Sequence, residues 1–153
     1  MIIKPDAITE FRGDYFFLSN FYMCPVLGAD DIIYPSSEHS YMSCKNDIRE
    51  DHLKLASLKT AREARNFGQT IVLRPNWDNL KYGYMKRVLQ DKFTRNPHLG
   101  KKLLETGDRQ LVENGSWHDL YWGICSCEKH QGEGKNALGQ ILEEIRNELK
   151  DKT

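Results

Sequence analysis

The sequence predicts a helix-dominated α+β fold, a single domain (1–153) carrying a few short strands. Three observations lead there. Apolar residues recur at spacings of three and four in two long stretches: Trp77, Leu80, Tyr84, Met85, Val88, Leu89 and Phe93, then Leu138, Ile141, Leu142, Ile145 and Leu149. Aromatic and β-branched clusters are short and confined to a few places. No repeat, low-complexity tract or Pro/Ser/Gly linker divides the 153 residues, and 39% hydrophobic content suffices for one core.

Taken in order, Tyr15-Phe16-Phe17-Leu18 and Ile32-Ile33-Tyr34 read as two strands of a hairpin or small sheet, separated by Pro25, Gly28 and Asp30-Asp31. Ser36 is an N-cap for a helix over 37–46, with Glu38 in its first turn. Residues 50–66, rich in Leu, Ala, Lys, Arg and Glu, read as one or two helices ending near Gly68. Asn76 opens the long helix of the first stripe. Asn96-Pro97 opens another, and Gly107 closes it. Leu111-Val112 and Leu120–Ile124 read as short strands, and the last helix covers 136–149.

Composition excludes several classes of function. Lys and Arg number 22 and so do Asp and Glu, so no excess positive field exists for generic polyanion binding, although a local phosphate pocket is compatible. The N-terminus carries no signal-like apolar core, and no run approaches membrane-spanning length. A cytoplasmic protein without a membrane partner is expected. Cys24, Cys44, Cys125 and Cys127 are too few and too irregular for a disulfide framework. His118, Cys125, Cys127 and His130 lie close in sequence, but a single residue between the cysteines is shorter than zinc knuckles use. On a strand both thiols face one side. Free thiols and no metal are expected.

Four stretches combine polar and aromatic residues beyond the needs of a core. They are Phe11-Arg12-Gly13 with Leu18-Ser19-Asn20-Phe21; Tyr34 to Lys45; Trp117-His118-Asp119-Leu120-Tyr121-Trp122-Gly123; and Gly132 to Gly139. On a helix, Glu38, Tyr41 or Met42, and Lys45 share a face, with Glu38 and Lys45 about 10 Å apart along the axis. Both heads then reach one cavity, or they are a solvated acid and a surface lysine placed to suit the helix dipole. Asp119 beside Tyr121 and Trp122 suits a site that stacks a base and stabilises positive charge; a polar turn entering a buried strand is the plainer alternative. Gly132-x-Gly134-x-x-Ala137 resembles a dinucleotide fingerprint, but too few residues follow Gly139 for the required βαβ unit. Either the glycines admit phosphate to helix N–H groups or they form a hinge.

In order and spacing, these pieces resemble the NADAR (YbiA-like) family of N-glycosidases from Phe11 to about Arg146. The resemblance rests on Phe11-x-Gly13, Leu18-Ser19-Asn20-Phe21, Tyr34-Pro35-x-x-Glu38-His39 with Tyr41 and Lys45, and Trp77…Met85…Lys92-Phe93. It continues through Leu104-x-Thr106-Gly107, Leu111-Val112-Glu113, Asp119-x-Tyr121-Trp122-Gly123 and Gly134-Lys135-Asn136-x-Leu138-Gly139…Arg146. Met42 stands where the family usually has Gln, and the stretch from Gly123 to Gly132 is idiosyncratic. The resemblance implies a YbiA-like fold and cleavage of a C1–N bond in a ribose phosphate, without redox cofactor or known metal. The implied substrates are early riboflavin-pathway intermediates or ADP-ribosylated guanine in nucleic acid. An ADP-ribosyltransferase toxin is the implied partner in the second case.

Cleaving such a bond builds positive charge at C1 and the ring oxygen, and negative charge on the leaving nitrogen. Glu38 and Asp119 are the candidate carboxylates. Lys45 supplies either a fixed charge or an amine that forms a Schiff base with an opened ribose. Tyr121 and Trp122 are expected to stack on base or ribose, and Gly134, Lys135 and Asn136 to hold phosphate. Phe11, Gly13, Ser19, Asn20, Phe21, His39, Tyr41, Trp77 and Gly123 complete the expected binding set. The rival from another class is a module that binds ADP-ribose or nucleotide without hydrolysis.

Overall fold

The computed structural model describes residues 1–115 and 118–153, so Trp117 of the third stretch lies outside the described residues. The chain divides into two compact units: Ser19–Leu99, and Met1–Leu18 with Gly100–Thr153. Among the described residues the only sheet is two-stranded, and helices dominate. None is long and apolar enough to cross a membrane.

In the unit Ser19–Leu99, β1 (Met23–Leu27) pairs antiparallel with β2 (Ile33–Ser36). The register slips between Met23 and Val26, a bulge that accommodates Pro25, which has no N–H to offer the ladder. Asp30 stabilises the turn by accepting from the Ile32 N–H, the Tyr34 hydroxyl and His52 Nδ1. The first strand thus lies later than the sequence predicts.

Helix α1 is Ser37–Ser43, shorter than the expected 37–46, and all seven of its residues are buried. Ser36 caps it, its Oγ accepting the His39 N–H at 3.2 Å. Helices α2 (Arg49–Ser57) and α3 (Ala61–Gly68) follow. Thr60 caps α3, its Oγ1 accepting the Glu63 N–H while its hydroxyl donates to Oε1 of Glu63.

Helix α4 (Trp77–Arg95) buries Trp77, Met85, Val88, Leu89 and Phe93, as its periodicity predicts. Leu80 departs from the stripe at 41% exposed, whereas Lys92 is fully buried. Asp91 accepts the Leu27 N–H at 2.7 Å, and Asn96 donates to the Pro25 carbonyl at 3.0 Å. These bonds fix the hairpin against the end of α4.

In the other unit, the aromatic run expected as a strand is a 3-10 helix, Gly13–Leu18. Consecutive Phe17 and Leu18 are both buried, which a strand with one solvated face does not permit. Helix α5 (Pro97–Glu105) falls across the unit boundary, and Gly107 beyond it takes φ +65°. The strands expected at 111–112 and 120–124 reduce to isolated bridges: Ile8 with Leu111, Asn114 with Ile124, and Cys125 with Glu133. The backbone between Leu120 and Gly123 is committed elsewhere. Its carbonyls accept N–H groups from Lys135, Ala137, Leu138 and Asn136 at the start of α6 (Ala137–Asp151).

Ile141, Leu142 and Ile145 of α6 are buried, and Arg146 donates to Thr106 Oγ1 and the Arg109 carbonyl. Gly139 lies so close to the Leu111 carbonyl that a Cβ there would collide with it. Asn136, 1% exposed at φ +54°, donates to that carbonyl at 2.9 Å and accepts the Glu113 N–H at 2.9 Å. Asn136→Ala strands both backbone groups and places alanine in the left-handed region. It should cost ~2–4 kcal/mol, read as a lowered urea midpoint at unchanged slope. A loss below ~1 kcal/mol would show that these bonds do not fasten α6.

Candidate active site

In the unit Ser19–Leu99, Lys92 sets the position of the Glu38 helix. Its Nζ donates to the Ser19 carbonyl at 3.0 Å, and burial holds its pKa down to about 8. Ser19 Oγ accepts the Phe21 N–H at 3.1 Å, while Phe21 itself is half-buried. Asn20 then fastens the start of α1. Its carbonyl accepts the Glu38 N–H at 3.1 Å, its Oδ1 accepts the Ser37 hydroxyl at 2.8 Å, and its Nδ2 meets Met85 Sδ. Ser19 and Asn20 therefore position Glu38, a role visible without any ligand.

Glu38 is 6% exposed. Lys45 lies past the end of α1 rather than on it, held by a turn in which its N–H donates to the Met42 carbonyl. The expected shared helical face is thus corrected, but the two charges still interact. Burial lowers the Lys45 pKa, and the Glu38 carboxylate opposes that shift. Lys45 Nζ donates to the Gly68 carbonyl at 3.0 Å. Met42 packs its thioether onto Gly68, where a Cβ would overlap it, so the departure from Gln puts an apolar side chain on the residue whose carbonyl accepts from Lys45.

Tyr41 and Trp77 belong to an aromatic series. Their ring centroids are 5.5 Å apart, Trp77 stacks on Tyr84 at 5.7 Å, and the Arg74 guanidinium lies over Tyr84 at 5.0 Å. His39 is fully buried, with Nδ1 at 2.6 Å from Ser36 Oγ and Nε2 at 3.0 Å from the Leu58 carbonyl. Nδ1 is thus engaged with the cap of its own helix, and Nε2 ties α1 to the end of α2. The geometry gives His39 a positioning role.

The second cluster lies in the other unit. Asp119 Oδ1 accepts the N–H groups of Tyr121 and Trp122, each at 2.8 Å, and so shapes the turn that presents this aromatic pair. The two rings meet edge-on, 4.7 Å apart at 88°, and the Lys135 ammonium lies 5.7 Å from the Tyr121 ring. Phe11 is a core residue, and Gly13 supplies the φ +55° that starts the 3-10 helix.

The expected phosphate cradle is not formed as the sequence suggested. The N–H groups of Lys135, Asn136, Ala137 and Leu138 all donate to carbonyls of residues 120–123. Gly134, at φ +142°, serves close backbone approach: a Cβ there would strike the Gly123 carbonyl. Asn136 is likewise occupied with Leu111 and Glu113. Of that trio, only the exposed Lys135 side chain offers a phosphate its charge.

Glu113 is the titratable group that the sequence reading passed over, although Leu111-Val112-Glu113 contributes to the resemblance. Burial chiefly, and the Asp119 carboxylate next, push its pKa up to about 7, against the pull of Arg12. Gly123 permits this approach, since a Cβ there would strike the Glu113 carbonyl. Two carboxyl groups whose environments separate their protonation are a recurrent acid–base arrangement.

The sequence matches the NADAR domain over residues 9–150. The chain belongs to the NADAR family. It is 35% identical to the N-glycosidase YbiA of Shigella boydii, over 96% of this chain and 91% of that protein. It is 34% identical to a riboflavin biosynthesis protein of Vibrio vulnificus over 97% of this chain, but spans only 39% of that longer protein. The NMR structure of Escherichia coli YbiA superposes with a TM-score of 0.82 at 29% identity, covering 98% of this chain and 89% of that one. The helix-dominated α+β fold is thus that of YbiA, and the named relatives support a glycosidase-type function for this NADAR chain.

The raised pKa of Glu113 has a consequence for stability. From its ordinary value near 4.5 up to about 7 the folded state holds a proton that the unfolded state has released, so stability falls as pH rises through that window. Glu113→Gln removes that dependence. Relative to wild type it should gain up to about 3 kcal/mol at pH 8 compared with pH 4, read from urea midpoints at both pH values. Parallel profiles for the two proteins would show that Glu113 titrates normally.

Proposed function

We propose that this NADAR chain is an N-glycosidase that hydrolyses the C1–N bond of a ribose-phosphate or ADP-ribose conjugate. The substrate is an early riboflavin-pathway aminopyrimidine ribose phosphate or ADP-ribosylated guanine in nucleic acid. In the second case an ADP-ribosyltransferase toxin is the proposed partner, making the lesion that this enzyme removes. The carrying observation is the pairing of buried Glu38 with Lys45, whose amine burial brings closer to its neutral form. A site that only binds a ribosyl ligand has no use for a lysine prepared in this way.

In the proposed reaction the C1–O4′ bond breaks first, O4′ takes a proton, and the Glu38 carboxylate opposes the positive charge of the C1=N iminium so formed. The neutral Lys45 amine adds to C1, a proton passes from the lysine nitrogen to the leaving nitrogen, and the C1–N bond to that nitrogen breaks, leaving a lysine imine. Water then hydrolyses the lysine imine and releases the sugar as its aldehyde, which recloses. Asp119 is proposed as a further carboxylate on the strength of its own cluster, and Asp119→Asn tests that part by itself. Riboflavin biosynthesis in the name of the Vibrio relative supports the small-molecule substrate.

Two assays check this reading. Incubation with each substrate should release a ribose phosphate or ADP-ribose; tight binding without release would favour a binding module instead. Glu38→Gln should fold normally and lose ~100- to 1,000-fold in kcat, equivalent to ~3–4 kcal/mol. Borohydride added during turnover should trap a sugar on Lys45, detected by mass spectrometry of the peptide. Lys45→Arg should then be inactive, because guanidinium keeps the charge but is not a nucleophile. An active Lys45→Arg enzyme without an adduct would leave Lys45 a charge only, and an active Lys45→Ala enzyme would remove it from the mechanism.

A further inference from the structure

The idiosyncratic stretch after Gly123, together with His118 before it, brings together four groups that the proposed reaction does not use. The ligand atoms of His118, Cys125, Cys127 and His130 all lie within 4.8 Å of one another. His118 Nδ1 is 3.1 Å from Cys125 Sγ, Cys127 Sγ is 3.0 Å from His130 Nδ1, and the two imidazole centroids are 5.4 Å apart. A tetrahedral ion with bonds of about 2.3 Å to sulfur and about 2.0 Å to nitrogen separates its ligands by about 3.3–3.8 Å. Small side-chain rotations bring this set to those distances.

The backbone explains how Cys-x-Cys spacing achieves this. Cys125 bridges to Glu133, with the Cys125 N–H donating to the Glu133 carbonyl and the Gly132 N–H to the Cys125 carbonyl. Directly afterwards the chain turns: the N–H groups of His130 and Gln131 both donate to the Cys127 carbonyl. Cys125 is therefore on a bridge and Cys127 in a turn, so the strand geometry that sends both thiols to one face does not apply. The turn brings His130 to Cys127. The left-handed backbone of His118, φ +56°, lies at the other end of the segment.

We propose that His118, Cys125, Cys127 and His130 form a structural zinc site. Two sulfurs and two nitrogens without a carboxylate favour Zn(II) over Mg(II) or Ca(II), and two thiolates neutralise its charge. Four protein ligands leave no open position for substrate or activated water, so the ion acts on structure. Both sulfurs bind as thiolates, any remaining thiol proton passing to solvent, and no oxidation state changes. What it holds is the segment between its first two ligands. Asp119 follows His118 directly, and its carboxylate shapes the Tyr121–Trp122 turn. Zinc is thereby a positioning element for the aromatic cluster.

The test uses the full-length chain, reduced and stripped by chelator, titrated with Co(II) and then Zn(II). One Co(II) per chain should give the visible bands of tetrahedral coordination and a thiolate-to-metal charge-transfer band, both abolished by one equivalent of Zn(II). Zinc should slow amide hydrogen exchange at Tyr121 and Trp122 at least tenfold while leaving α4 unchanged. Cys125→Ser/Cys127→Ser should lose at least 100-fold in zinc affinity, and His118→Ala should keep the charge-transfer band with altered visible bands. Absence of these bands in fully reduced wild-type protein would overturn the proposal, whatever the folding of the variants. So would equal zinc affinity in wild type and the double cysteine variant.

Discussion

The buried ammonium of Lys92 is the constraint on which the Ser19–Leu99 unit depends. A lysine without exposure is costly unless its donors are satisfied, and here one goes to the Ser19 carbonyl while the Tyr22 and Phe93 rings lie 5.8 and 5.2 Å away. That bond fixes the chain where Asn20 must present its carbonyl and side chain to the first turn of α1. From there the helix delivers Glu38, and the turn beyond it delivers Lys45. The placement of the Glu38–Lys45 pair thus depends on a charge buried on α4, with α2 and α3 intervening in sequence.

The unit built on Met1–Leu18 and Gly100–Thr153 follows a different logic, in which backbone is held against backbone with little regular sheet. Gly123, Gly134 and Gly139 each lie where a Cβ would collide with a neighbouring carbonyl. Asn136 bonds across the closest of these approaches. The Gly-rich run therefore serves packing and exhausts the helix N–H groups that a phosphate would require. Its effect on chemistry is indirect: by closing the backbone around Glu113 it desolvates that carboxyl and pushes its pKa up to about 7.

The two departures from the family pattern have physical explanations of different kinds. Met42 exchanges a hydrogen-bonding group for an apolar contact on Gly68, whose carbonyl accepts from Lys45. The stretch 124–131 exchanges backbone regularity for a cluster of soft ligands. The hydrogen bonds within that cluster hold the Cys127 thiol down to about 6, with the Cys125 thiol as the chief donor. Neither change alters Glu38, Lys45 or Asp119.

The long helices were legible in sequence, because an apolar stripe of period 3.6 has one solution and Asn76, Pro97 and Gly107 mark its ends. The candidate residues Glu38, Lys45, Asp119, Tyr121 and Trp122 were legible through ordered motifs, since chemistry demands residue types whatever the backbone does. Tertiary structure decided the rest. The aromatic run 15–18 alternates poorly, and burial of both Phe17 and Leu18 made it helical; the carbonyls of 120–123 went to α6 and left no strand. His39 and Asn136, expected as ligand contacts from their motifs, bond backbone carbonyls of Leu58 and Leu111. Glu113 and Lys92 gained their character from desolvation, and the His118–His130 cluster from two turns. Sequence spacing records distance along the chain, and these properties depend on distance through space.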